Sequence, residues 1–347
     1  MKRFYLMIAA LSALAGCGEV TPDVSAVPEL QADKVEIVAD GVDAVTFTVT
    51  SDGKDVTSLS TIYCSGTPVS GNTFSTLEPG VYSFKAMYEG QESKEIAVRA
   101  VESEFTGESQ FEKHVALWEF TGAWCANCPQ GYTNMNFVVQ SNSLFKEYVH
   151  EMAFHSDTSG DDPLAIDQTD KIMMDMNVAS FGFPSYVVDM YLGGSLVESV
   201  NIKEHLNEAF EDNGPCCGVA VSSELAAGKA SVNVRLFPEM SGSWRTAVYV
   251  VEDKVKAYQK DGMKEHEQYT HRHVVRQIVS ETYKGDRIGS GMAVAGKEVE
   301  ATYEIAVDDA WNLEETYVYV LAIGSDGRVN NMNFCLLDGG DEDYRLK

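Results

Sequence analysis

Between about residues 30 and 100, apolar and polar positions alternate with a period of two. Val45, Phe47 and Val49 point one way, Tyr82, Phe84 and Ala86 do the same later, and Asp52-Gly53 and Pro79-Gly80 supply turns. This predicts short strands with one buried face. The pattern changes near residue 110. HVALWEFTG (114–122) is an almost unbroken apolar run, as expected of a strand buried on both faces. A helix-compatible stretch follows from Cys125 to about Asn142, then a second strand, YVHEMAF (148–154). Polar SDTSGDDP (156–163) reads as a loop and Leu164 to Met176 as a helix. PSYVVDMY (184–191) is a third strand, Gly193-Gly194 a turn, and VNIKEHLNEAFED (200–212) a closing helix with Ile202, Leu206 and Phe210 on one face. Strands alternating with helices predict an α/β layer. After Gly214-Pro215 the chain returns to strand, in VNVRLF (232–237), WRTAVYVVED (244–253), HVVRQIV (273–279), EVEATYEIAV (298–307) and YVYVLAI (317–323).

The first residues, MKRFYLMIAALSALAGC, bear on compartment. Lys2 and Arg3 precede a short apolar run and small residues, the layout of a secretory leader. The run is shorter than the about 20 apolar residues that a bilayer span requires. Leu14-Ala15-Gly16-Cys17 resembles a bacterial lipobox, which implies cleavage before Cys17 and lipid on its thiol, hence a membrane-tethered protein outside the cytoplasm. The expected organisation is a leader over 1–17, a tether over 18–29, a β-sandwich over 30–102, an α/β domain over 103–215 and a β-rich domain over 216–347. Over 347 residues, 44% hydrophobic and 10% aromatic content suffices for packed cores. A net charge of −27 repels polyanions, so nucleic acid is excluded as a general partner. Acidic runs such as Asp161-Asp162 and Asp308-Asp309 read as solvated surface.

Six cysteines remain besides Cys17, an even number in an oxidising compartment. Cys216 and Cys217 are adjacent, so separate partners are expected for them, with Cys64 and Cys335 available. Cys125-Ala126-Asn127-Cys128 is a C-x-x-C, which by itself fits a redox pair, a structural bridge or a metal knuckle. Zinc requires four ligands, and no second C-x-x-C or spaced His pair lies nearby in the sequence. His271 and His273, two apart on an expected strand, read as surface histidines beside Arg272 and Arg276. A helix start stabilises a thiolate through its unpaired amides and dipole, which would activate Cys125 for attack and leave Cys128 to resolve.

The strand, the Thr121-Gly122-Ala123 loop and Trp124-Cys125-x-x-Cys128 at a helix start resemble the thioredoxin superfamily active site. The resemblance implies a central thioredoxin-like domain, with Glu119 as a buried proton acceptor for Cys128 and Pro184 as a cis-proline that holds partner backbone. Trp124 and Phe183 would then flank the partner surface. Pro129 directly after Cys128 departs from the pattern, as does the long interval from Cys128 to Pro184. GVYSFKAMYEGQESKEIAVRAV resembles the last strands of bacterial immunoglobulin-like domains, with Gly80-x-Tyr82 near a tyrosine corner. The order of lipobox, β-domain, FTGAWCANCP and a tail with HRHVVR (271–276) is similar to the outer membrane protein twenty-eight (Omp28) related lipoproteins of Gram-negative bacteria. The fold class expected is therefore α/β plus β, with the α/β domain between two β-rich ones. Two functions follow from these readings. One is thiol–disulfide exchange with envelope protein thiols or disulfides, which requires no bound cofactor. The other is surface binding or adhesion, with the cysteine pair structural.

Overall fold

A computed structural model describes residues 26–347 apart from 106, 198–200, 212, 213, 215 and 289–291. Cys17 and the leader lie outside the described residues, as does most of the 18–29 tether. The described chain forms two compact units. One takes Phe47–Asn72 and Ser83–Ile96 with the described residues up to Asp33; the other takes Lys34–Thr46, Thr73–Tyr82 and Ala97–Lys347.

In the smaller unit the alternation reads as expected. Phe47 and Val49 are buried, and the Phe47 ring lies 4.5 Å from that of Phe84. Strand Thr61–Cys64 pairs antiparallel with Phe84 to Met87. Asp52 and Gly53 both have positive φ (53° and 75°), the backbone required by a two-residue hairpin turn. In the larger unit, the Tyr82 hydroxyl donates to the Glu78 carbonyl four residues upstream at 2.8 Å.

The larger unit is built on one nine-stranded mixed sheet. Its path runs Leu192–Ser195, Ser185–Val188, Val115–Thr121, Val149–His155, Val274–Ile278, Arg245–Glu252, Thr316–Ile323 and Val329–Leu336, and the short strand Asp286–Arg287 also pairs with Arg245–Glu252. Val115–Thr121 is parallel to Val149–His155 and antiparallel to Ser185–Val188. Every residue of Val115–Thr121 is buried, as its apolar run predicts. Val115 and Leu117 face a cluster with Met135, Val139 and Leu206 of helices Cys128–Gln140 and Ile202–Glu211. Trp118 and Phe120 face the opposite way, onto Ile172, Tyr249 and Tyr319. A four-stranded sheet, Val299–Ala306, Lys229–Pro238, Cys217–Ala226 and Asp341–Glu342, shares a further core with Trp244 and with Val248 and Val320 of the large sheet.

This architecture overturns the expected fold class. The chain is mostly β-sheet, and no separate thioredoxin-like α/β core is set apart from a C-terminal β domain. The three strands expected to form that core are the second to fourth of the path, and the first, Leu192–Ser195, takes in Gly193-Gly194, which was expected to be a turn. The join is at Ala153, which pairs in parallel with Val274 and whose amide donates to His273 O at 2.7 Å. The apolar core crosses the same join, because Trp118 stacks on Phe154 at 4.6 Å and meets Tyr249 edge-on at 5.6 Å. Local periodicity identifies a strand but not a neighbour about 120 residues away, so the continuous sheet was not legible.

Candidate functional site

The turn between the central strand and the first helix holds the cysteine pair. Cys125 N–H donates to Gly122 O at 2.9 Å and Cys128 N–H to Cys125 O at 3.3 Å, and the helix begins at Cys128, not at Cys125. Pro129 falls in its first turn, where a missing N–H is tolerated. Cys125 and Cys128 form a disulfide with Cα atoms 5.5 Å apart. Both are buried, at 5% and 2% exposure.

Trp124 is held on several sides. Its Nε1 donates to Ser156 O at 2.7 Å, its ring meets Phe183 edge-on at 5.3 Å, and a Cβ on Gly160 would come within 2.7 Å of its own Cβ. Pro184 follows a cis peptide bond from Phe183 and packs on the first turn of the helix, where a Cβ on Gly131 would lie 2.3 Å from its Cγ. Glu119 and Cys128 line one narrow cleft with Tyr132, His155, Gln259, Tyr269, His271 and Arg272. Cys125, Cys128, Glu119, Trp124, Phe183 and Pro184 thus gather around one turn and the helix it opens.

Burial, reinforced by the negative charge of Glu151, pushes the Glu119 carboxyl up to about 8. Glu151, on the neighbouring strand, is itself raised to about 7 by burial and by Asp253, with Arg272 pulling the other way. Burial and the charge of Glu119 also raise the Tyr269 hydroxyl.

A second buried network fixes the turn from behind. Asp162 Oδ2 accepts from Ala123 N–H at 2.7 Å and lies 2.7 Å from His155 Nδ1, while Oδ1 accepts from Leu164 N–H at 2.9 Å. Burial opposes ionisation of Asp162, yet His155 and the two amides hold it below the usual carboxylate range. The expectation that Asp162 is solvated surface is therefore corrected: its side chain is fully buried. His271 is also no surface residue. It is buried, lies edge-on to His155 at 5.0 Å, and burial lowers it to about 4. Its strand ends there, and His273 sits in a turn at φ 51°, so the two histidines do not share a strand face.

A hairpin of strands Val255–Asp261 and Lys264–His271, which pair only with each other, covers the bridge. Lys260 N–H donates to Ala123 O and Gly262 N–H to Ala126 O, each at 2.8 Å. The buried Gln259 carboxamide donates to Gly122 O at 3.3 Å and Cys125 O at 3.0 Å. Gln259 and the hairpin were missed in the sequence because VKAYQKDGMKEHEQYTH is mostly polar, with no sustained apolar alternation. Its one signal was Asp261-Gly262, a turn pair between strand-compatible runs. Glu151 had a clearer signal, a charge inside the apolar run YVHEMAF.

Cys64, Cys216, Cys217 and Cys335 are free thiols, which corrects their expected cross-pairing. Cys216 accepts from Asn330 Nδ2 at 3.1 Å, and burial pushes its thiol up to about 11. No group of three or more His, Cys, Asp or Glu side chains suited to a metal occurs among the described residues.

Comparison with solved structures finds HBP35 of Porphyromonas gingivalis, at 18% identity and a TM-score of 0.51, over 67% of this chain and 77% of that one. At that identity the likeness concerns fold alone. Surface layer protein SbsC, domains 4–9, aligns over 90% of this chain and 50% of that one, at 9% identity and a TM-score of 0.19, too low to carry an argument. No curated protein sequence matches. The family model that matches begins downstream of FTGAWCANCP and takes in the covering hairpin and the far half of the large sheet. Over residues 173–335 the chain is similar to the outer membrane protein Omp28 family.

Proposed function

We propose that this protein is a lipid-anchored binding protein of the bacterial outer membrane, in which the Cys125–Cys128 bridge is a structural staple. The carrying observation is the cover over the bridge. Four hydrogen bonds from the 255–271 hairpin end on carbonyls of Gly122, Ala123, Cys125 and Ala126, and both cysteines are buried beneath it. A thiol working on large partners needs access to its sulfur. The similarity to an outer-membrane family and the leader ending in Cys17 support the location and the anchor. Partner contacts then fall to the acidic, strand-rich surface.

Thiol–disulfide exchange with envelope proteins is the second reading, favoured by Glu119 beside Cys128. In the reduced protein, the Cys125 thiolate attacks a partner disulfide and releases one partner thiolate. Cys128 then yields its proton to Glu119 and attacks the Cys125 sulfur, which re-forms the bridge and frees the second partner thiolate. A carboxyl at about 8 is suited to that proton near neutral pH.

The reduction potential of the intact protein, by glutathione titration, separates the readings. The staple gives a value below about −300 mV, with little alkylation of Cys125 in the folded protein. A value between about −120 and −270 mV with a reactive Cys125 thiolate overturns it in favour of exchange. Fatty-acid labelling that survives Cys17→Ser would overturn the anchor.

A further inference from the structure

The geometry points to a redox-sensitive latch: the Cys125–Cys128 bridge holds the 255–271 hairpin closed, and reducing the bridge releases it. This goes beyond either reading above, because it requires that the bridge open and close but not that it turn over on a partner.

Apart from its base, where the buried His271 ring lies edge-on to His155 at 5.0 Å, the hydrogen bonds that dock the hairpin go to one turn. The hairpin's two strands pair only with each other, and an isolated two-stranded hairpin is at best marginally stable in water. Its tip is in solvent, with Met263 fully exposed. The contacts that dock it concentrate on one short turn. Lys260 and Gly262 reach that turn through backbone amides and Gln259 through its buried carboxamide, and the acceptors are carbonyls of residues 122 to 126. At the base, His271 Nε2 lies 3.2 Å from Tyr258 O, a bond within the hairpin that does not tie it to the turn.

Two of those carbonyls, Cys125 O and Ala126 O, lie within the segment that the bridge closes. The turn is closed by the Cys125 and Cys128 amides and by the covalent link between the two sulfurs. A dithiol reductant supplies two electrons and two protons. Its two thiols become a disulfide, the Cys125–Cys128 bond breaks, and both sulfurs leave as thiols. Two unbonded sulfurs must separate to van der Waals contact inside a buried turn. The carbonyls between them shift, and the hairpin donors that point at them lose alignment, to which hydrogen bonds are steeply sensitive. Release uncovers the cleft lined by Glu119, Cys128 and Tyr132.

Amide hydrogen exchange on the full-length protein tests this, comparing the oxidised form with one reduced by dithiothreitol, with peptide mapping to verify that Cys125 and Cys128 are both thiols. The amides of Lys260 and Gly262 are expected to exchange at least about tenfold faster after reduction, while those of Val248 and Val320 in the large sheet keep their protection. Unchanged protection at Lys260 and Gly262 in verified reduced protein overturns the latch, and so does loss of protection throughout the sheet. Coupling is reciprocal, so loosening the hairpin must also make the bridge easier to reduce. In Gln259→Ala, the equilibrium constant for reduction by dithiothreitol should rise by the same factor by which the variant weakens docking, as read from hairpin exchange in the oxidised protein. Faster hairpin exchange with no change in that equilibrium also overturns it. The wild-type potential itself decides between staple and exchange and leaves this coupling untouched.

Discussion

The central strand Val115–Thr121 carries buried charge near both ends, and the two ends handle it differently. At the start, Ala116 N–H donates to Asp189 Oδ1 at 2.8 Å and Lys113 Nζ to Asp189 Oδ2 at 2.7 Å. Lys113 also donates to the carbonyls of Asn330 and Val329, at 2.8 and 3.3 Å. Burial pushes the Asp189 carboxyl up, and Lys113 and the Ala116 amide pull against it. Near the other end, Glu119 and Glu151 face the same interior with the same sign of charge, and both are raised. An opposite-charge pair with its donors satisfied ties three chain segments together. A like-charge pair is held in the protonated form by its surroundings, so it stores protons at a cost to the fold. The first end is a satisfied ion pair, and the second holds two carboxyls raised by burial and like charge.

Breaking the paired end is expected to do the most damage. Lys113→Ala leaves Asp189 buried without its cation and should lower unfolding free energy in urea by about 3–5 kcal/mol. A loss below about 1 kcal/mol would remove the contrast, since Asp189 would then be as tolerant of isolation as Glu119. The bridge end has its own paired carboxylate, Asp162, behind the turn. Asp162→Ala strips acceptors from the Ala123 and Leu164 amides and from His155, and a destabilisation of about 2–3 kcal/mol is expected. Faster exchange at the Ala123 amide should accompany it. If that amide stays protected, Asp162 does not hold the turn.

The like-charge pair predicts a pH dependence of defined sign. Folded values of about 8 for Glu119 and about 7 for Glu151 lie above the ordinary 4.5, so the folded protein binds more protons than the unfolded chain between those limits. This contribution to stability is complete below about pH 4.5 and declines as pH rises through 7 to 8. Glu119→Gln keeps the shape and removes the charge. Relative to wild type it should be more stable by about 1 kcal/mol at pH 5.5, and that margin should widen by on the order of 2 kcal/mol at pH 8.5, read from urea curves at the two values. Equal stability differences at both pH values would mean that Glu119 is ionised throughout, and the contrast between the two ends would disappear.

Much of the secondary structure was legible because each element carries its own period. The run HVALWEFTG appears as Val115–Thr121, and the expected helix over 200–212 as Ile202–Glu211 with Ile202 and Leu206 buried. What a period cannot encode is the neighbour. The same residues that read correctly as strands were assigned to a stand-alone α/β layer, since nothing local in YVHEMAF announces Val274 as its partner. VNNMNFCL (329–336) was missed for a related reason. Its asparagines look like loop residues, yet Asn331 and Asn333 are buried and donate to the carbonyls of Cys217 and Val219. In the site, Cys125, Cys128 and Glu119 could be picked out because residue type and spacing mark them. Asp162, His271 and Gln259 were not, because each acts through a fold-level contact. A polar residue in a polar stretch gives no sign that another segment will cover it.

The smallest effect tests whether a neutral contact also stiffens the bridge end. Trp124 links the turn to the loop after the second strand through Nε1–H to Ser156 O, and it fills space that Gly122 and Gly160 leave open, since a Cβ on either would approach within 2.8 or 2.7 Å of its atoms. Trp124→Phe keeps an aromatic ring and deletes the donor, which leaves the Ser156 carbonyl short of one partner. The expected cost is about 1 kcal/mol, the usual net value of one such hydrogen bond. The substitution also divides the two roles open to Trp124. A residue whose main task is to present a surface to partners has little bearing on the fold, and its replacement would leave the urea midpoint where it was. A residue that braces the turn must lower that midpoint, and by way of the turn it must also speed hydrogen exchange at the Cys125 amide, which is bonded to Gly122 O. Both shifts together place Trp124 in the scaffold of the bridge, while an unchanged midpoint with unchanged exchange returns it to the partner surface.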